Sequence, residues 1–150
     1  MKNIYLVQIQ NIIAERIFLP LASGYLWSYA SQSTVIRKNY NLKDVIFIRE
    51  DIAHHISNIE SPDVLAIGAY VWNWEYSCLL AQAVKKRYPK CLIIVGGPHA
   101  PHQENIKKLY PYIDLIATNA GEEQLTEVLI ENLNSKPQFS TIQGIVQSGV

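Results

Sequence analysis

Five apolar runs of strand length alternate along this chain with stretches of helical period, and few folds accommodate that alternation. The runs fall at residues 4–9, 45–48, 64–71, 92–95 and 113–117. Those at 64–71 and 92–95 are nearly unbroken, as in strands covered on both faces of a parallel sheet. Between the runs, Pro20 suits the first turn of a helix reaching about Asn39, and Asp51 can cap a short one carrying Ile52, Ile56 and Ile59. Residues 75–88 place Ser77, Leu80, Ala81, Val84 and Tyr88 on one stripe, with Gln82, Lys85 and Lys86 outside it. A fourth helix begins near Pro101 and carries Ile106, Leu109 and Tyr110. A fifth carries Leu125, Val128, Leu129 and Leu133, with Glu122 and Glu123 in the first turn, where the helix dipole favours acids. The pattern predicts an α/β fold: a doubly wound, Rossmann-like (flavodoxin-like) parallel five-stranded sheet with helices on both faces. After Lys136-Pro137 the period changes, and 141–147 reads as one extended strand. The expected organisation is one domain over 1–135 and a linker or strand over 136–150 leading onward.

The chemistry available to such a domain is bounded by its composition. With 49% hydrophobic and 17% charged residues the 150-residue chain can bury a sizeable core as one domain. Its 13 basic and 13 acidic side chains cancel, which gives phosphate-backbone binding to nucleic acid no electrostatic support. A small molecule or another protein surface is the expected partner. Cys78 and Cys91 are the only cysteines, too few for an iron–sulfur cluster or a disulfide framework. The opening Met1-Lys2-Asn3-Ile4-Tyr5-Leu6-Val7 reads directly as a strand, and no run approaches the ~20 apolar residues of a membrane span. A reducing cytoplasm is the expected compartment.

Ligands of open α/β sheets bind outside the carboxyl ends of the strands, which directs attention to the loops at 10–19, 70–73, 96–101 and 118–121. Gln8 and Gln10 near the end of the first strand make sense if that end faces a ligand. Gly96-Gly97-Pro98 removes side chains where a ligand would need close backbone approach; a tight strand-to-helix turn accounts for it equally well. Tyr70-Val71-Trp72-Asn73-Trp74 forms a broad apolar surface with polar handles at a strand tip, read as facing a ligand in preference to a packed core corner. His99 and His102 have a spacing compatible with a metal but lack a third ligand, and the adjacent His54 and His55 read as surface residues. A dinucleotide glycine fingerprint, a Walker loop, a flavin phosphate cradle and a receiver-type aspartate cluster are all absent. No serine or cysteine has a base beside it, so no self-sufficient catalytic site is expected.

Two stretches carry a resemblance. Pro62-Asp63-Val64-Leu65-Ala66-Ile67-Gly68-Ala69-Tyr70-Val71-Trp72-Asn73-Trp74 and Leu92-Ile93-Ile94-Val95-Gly96-Gly97-Pro98-His99-Ala100-Pro101 resemble the N-terminal domain of cobalamin-dependent radical S-adenosylmethionine (SAM) enzymes. Leu19-Pro20 with Gly24-Tyr25-Leu26, and Pro111-Tyr112-Ile113-Asp114, resemble further parts of it, and the similarity runs over about residues 3–146. It implies a cobalamin-binding module whose iron–sulfur cluster and SAM lie in a missing radical SAM domain, a partner in cis or in trans. The module would not be catalytic alone, and the whole would be methyltransferase-like or cyclase-like.

By the same resemblance Gly96, Gly97 and Pro98 would shape the pocket for the nucleotide tail, with His99 following them on the binding edge, and Tyr70, Val71, Trp72 and Asn73 the lower corrin face. Leu19, Pro20 and Tyr25 would close the first loop, and Gly121 and Glu122 would meet the cofactor or the partner domain. The family's Gly-Glu-Gly-Glu stands here as Asn119-Ala120-Gly121-Glu122, and its radical-domain cysteines are missing. The Asp-x-His-x-x-Gly element that ligates cobalt in other cobalamin proteins is missing too, so no histidine ligand is expected. Those departures leave two rivals: a degenerate interaction domain that no longer binds cobalamin, and a pocket recruited for a different nucleotide.

Overall fold

The computed structural model describes residues 1–102 and 106–148. Its strands send alternate side chains to two helical layers. The first strand β1 (Lys2–Val7) points Ile4 and Leu6 one way and Tyr5 and Val7 the other, which is the period-two geometry of a doubly covered sheet. A short hairpin, β2 (Ile12–Ile13) and β3 (Arg16–Ile17), follows; next come α1 (Leu21–Ala30), α2 (Thr34–Asn39), β4 (Tyr40–Ile46), α3 (Ile52–Asn58) and β5 (Val64–Gly68). Helix α4 (Trp74–Arg87), β6 (Leu92–Gly96), α5 (Ile106–Leu109), β7 (Leu115–Ala117) and α6 (Gly121–Glu131) complete the alternation. A 3-10 turn (Phe139–Thr141) then leads into β8 (Ile145–Gln147).

The main sheet has the order β4-β1-β5-β6-β7-β8, parallel throughout except for β8, which runs antiparallel on β7. Without β8 this is the flavodoxin-like order. The sheet therefore has six strands rather than the expected five. One core layer joins Tyr5, Val7, Leu65, Ile67, Ile93 and Val95 to α3, α4 and α5. The other joins Ile4, Leu6, Ala66, Ile94 and Leu115 to α1, α2 and α6, and takes in Phe139, Ile142 and Ile145 from the last segment.

Local differences from the sequence reading have physical causes. The single helix expected over 20–39 is broken at Ser31-Gln32-Ser33, where the Arg37 guanidinium donates to the Ser31 and Gln32 carbonyls at 2.7 and 2.9 Å. Strand β4 starts at Tyr40, earlier than its apolar run, because it is an edge strand with Asn41, Lys43 and Asp44 exposed. The extended strand expected over 141–147 begins only after Gly144, whose φ of +77° turns the chain. Residues 103–105 of the expected fourth helix lie outside the described residues. At the amino edge of the sheet, carboxylates fasten strand starts: Asp63 accepts the Asn3 N–H at 2.7 Å, and Asp114 accepts the Ile93 N–H at 2.8 Å and the Lys85 ammonium at 2.6 Å.

Candidate functional site

Four small residues at the carboxyl ends of adjacent strands open a space in the layer beneath α1 and α6. Ala66 and Gly68 on β5, Gly96 on β6 and Ala117 on β7 lie on one face of the sheet, where larger side chains would fill the gap. Ala22 and Leu26 of α1 and Leu125 of α6 form the opposite wall, and Tyr70, Asn119 and Glu122 stand at the mouth. The resulting cleft encloses about 190 Å³. An apolar cavity of ~150 Å³ already admits a benzene ring, so the space suits a flat heteroaromatic group entering from the strand ends. Helices α1 and α6 pack closely here, and a Cβ on Gly121 would approach Leu26 to 3.3 Å.

Of the residues expected at a site, the cleft brings together Tyr70, Gly96, Gly97, Gly121 and Glu122. The others take different places. Leu19 and Tyr25 are exposed beside Pro20, and Val71 and Trp72 lie exposed on the strand-tip loop. The Trp72 ring stacks on Tyr70, with centroids 4.7 Å apart and planes within 15°. Pro98 is exposed, and the exposed His99 stands edge-on to Trp74 at 6.0 Å. Asn73 is fully buried and satisfied within the protein: its oxygen accepts the Tyr70 N–H at 2.9 Å, and its amide donates to Ile9 and Gly68 carbonyls at 3.1 and 3.2 Å. It therefore ties the tips of two strands together instead of facing the edge.

Two glycines that look alike in sequence do different work. A Cβ on Gly97 would sit 2.7 Å from the Ala69 carbonyl oxygen, and its φ is +104°. Gly97 is thus required by the turn itself. Gly96 has no such backbone constraint; its Cβ would meet Ala117 at 3.4 Å, inside the cleft. The polar end of β1 is likewise occupied by the fold. Gln8 accepts the Ser23 N–H at 2.9 Å, capping an open donor of α1, and Gln10 donates to the Leu19 carbonyl at 3.3 Å.

The last segment buttresses the cleft's far wall. The Gly144 carbonyl accepts both the Thr118 N–H and its hydroxyl, at 2.9 and 2.8 Å. Gln124 accepts the Asn119 N–H at 3.1 Å and donates to the Gln143 carbonyl at 2.9 Å. Those bonds set the path of Asn119-Ala120-Gly121-Glu122.

Reactive groups lie elsewhere. Burial pushes the Cys91 thiol up to about 12 and raises Cys78 as well, so neither presents a thiolate at neutral pH. His54 pairs with Glu50 at 2.8 Å, and His55, buried rather than on the surface as expected, lies 3.0 Å from the Ile48 carbonyl. Among the described residues no helix is long and apolar enough to cross a membrane.

The lining residues that sequence reasoning missed, chiefly Ala66, Gly68, Ala117 and Leu26, carried a readable signal. Small residues recur at strand ends with the same side-chain parity, which a run-by-run reading for apolarity passes over.

No protein-family model matches the chain. Over 129 residues, 85% of this chain, it is 36% identical to a cobalamin-dependent radical SAM methyltransferase, TokK, from Streptomyces tokunonensis. Over an equal length it is 34% identical to 2-(S-pantetheinyl)-carbapenam-3-carboxylate methyltransferase from Streptantibioticus cattleyicolor. The chain spans 19% of the length of each of these relatives.

Proposed function

We propose that this chain, similar over 85% of its length to a cobalamin-dependent radical SAM methyltransferase, is a cobalamin-binding module of such an enzyme. The observation that carries the reading is the cleft floored by Ala66, Gly68, Gly96 and Ala117 at the carboxyl edge of the sheet. Its apolar walls and open mouth fit the flat base of a nucleotide tail, and the Tyr70–Trp72 stack beside the mouth fits a broad macrocycle. Bound cobalamin would supply a cobalt centre able to accept and release a methyl group. The protein's part is to bind and orient: Leu26, Leu125 and the small strand-end residues exclude water from the tail, while Asn119 and Glu122 offer polar contacts at the rim. The iron–sulfur cluster and SAM would belong to a radical SAM domain in cis or in trans. The names of the relatives favour methyl transfer over ring formation.

A second reading has its own observation. Ile12, Ile13, Phe18, Leu19, Leu21 and Tyr25 are all exposed around the β2–β3 hairpin and α1, an apolar surface of the kind that marks an interaction site. It suits docking of a radical SAM domain, and equally a degenerate interaction domain without cofactor. Gel filtration after mixing with hydroxocobalamin separates the two. The module reading predicts a coloured, stoichiometric protein peak, whereas a colourless peak would favour the interaction domain.

A further inference from the structure

We infer that Arg49 is a positioning residue for the aromatic shelf at the mouth of the cleft, an inference that rests on the cobalamin-module reading. Arg49 lies in the loop after β4, whereas the shelf follows β5, and in the sheet both strands flank β1. The Arg49 side chain therefore reaches across the tip of β1. Its guanidinium donates to the Trp72 carbonyl at 2.6 Å and sits 5.3 Å from the centre of the Tyr76 ring. The Tyr76 hydroxyl donates in turn to the Glu50 carbonyl, and burial raises its pKa still further above the neutral range.

The turn at 70–73 is consequently gripped from two sides. Inside, Asn73 holds Tyr70 and the two strand tips. Outside, Trp72 is held only through its own backbone by Arg49, among the described hydrogen bonds. Its side chain is 44% exposed and has Tyr70 as its stacking partner. Tyr70 lines the cleft, so a displacement of Trp72 passes directly to the mouth. A planar fork stacked on an aromatic ring suits this role, and a lysine would keep the charge without the fork or the stacking.

The test compares the parent with Arg49→Ala and Arg49→Lys, with Trp72→Phe marking the near-ultraviolet circular dichroism that belongs to Trp72. In the cofactor-free protein, Arg49→Ala should lose most of the Trp72 signal while the far-ultraviolet spectrum stays the same, and Arg49→Lys should retain part of it. Affinity for hydroxocobalamin should fall about tenfold in Arg49→Ala, the low end of the range for losing one charge-assisted hydrogen bond, as suits an exposed loop. An unchanged Trp72 signal would overturn the inference, as would a parent and an Arg49→Ala variant that bind hydroxocobalamin equally. A parent that binds none overturns the functional reading and the positioning role together, which distinguishes it from failure of Arg49 alone. Should Arg49→Ala not fold, Arg49→Lys decides by the same two readouts.

Discussion

A glycine can be kept for the space it leaves or for the backbone it permits, and this chain holds both kinds side by side. Gly97 has φ +104° and a forbidden Cβ position against Ala69. Gly97→Ala should therefore destabilise the fold by about 3 kcal/mol, lowering the melting temperature by about 10 °C. Gly68 has ordinary backbone angles, and its Cβ would make van der Waals contacts at 3.6–3.8 Å. Gly68→Leu should leave the melting temperature within a few degrees of the parent and abolish retention of hydroxocobalamin, because the added side chain enters the cleft. Paired thermal melts and binding assays check both; cobalamin retained by folded Gly68→Leu would remove the cleft from the account. The sequence marks Gly96-Gly97 as special without saying which glycine serves which purpose. Spacing cannot reveal a φ angle or the neighbour that a Cβ would strike. Asn73 was hidden for a related reason, since a polar residue in an aromatic loop reads as a ligand contact until its three internal bonds are seen.

Among the elements, those that bury a full face were legible and those that do not were obscured. Strands β5 and β6 and helix α4 follow from apolar runs and a buried stripe of Ser77, Leu80, Ala81 and Val84. The β2–β3 hairpin has all four strand residues exposed and turns through Ala14 and Glu15, at φ 49° and 61°. Two positive φ angles at the turn are normally signalled by Asn-Gly, and Ala-Glu gives no such sign. In the last segment β8 pairs with β7, and Phe139, Ile142 and Ile145 enter the core. Ending the chain after residue 135 should therefore lower stability by about 5 kcal/mol, from three lost apolar side chains. It should also speed amide exchange at Thr118 and Asn119, which lose the supports from Gly144 and Gln143. Unchanged exchange there, with an unchanged melting temperature, would show that the segment does not brace the cleft.

For the molecule as a whole, the doubly wound order was readable because alternation and right-handed crossover leave few arrangements open. The cleft was less readable, because it is made by what three strands lack at matching heights and so exists only once their register is known. The central claim is that the chain holds cobalamin with its tail in that cleft. If so, the tail's benzimidazole would be off the cobalt. Among the described residues, no histidine ring packs on the Tyr70–Trp72 stack, where the macrocycle would lie, to replace it: His55 meets Ile48, His54 pairs with Glu50, His99 faces Trp74, and His102 is exposed. Electron paramagnetic resonance of the cob(II)alamin complex, freed of excess cofactor, measures this directly. The account predicts a spectrum without nitrogen superhyperfine splitting from an axial ligand. Nitrogen splitting in the parent would contradict it, assigned to His99 if lost in His99→Ala and to surface-bound cobalamin retaining its own base if not.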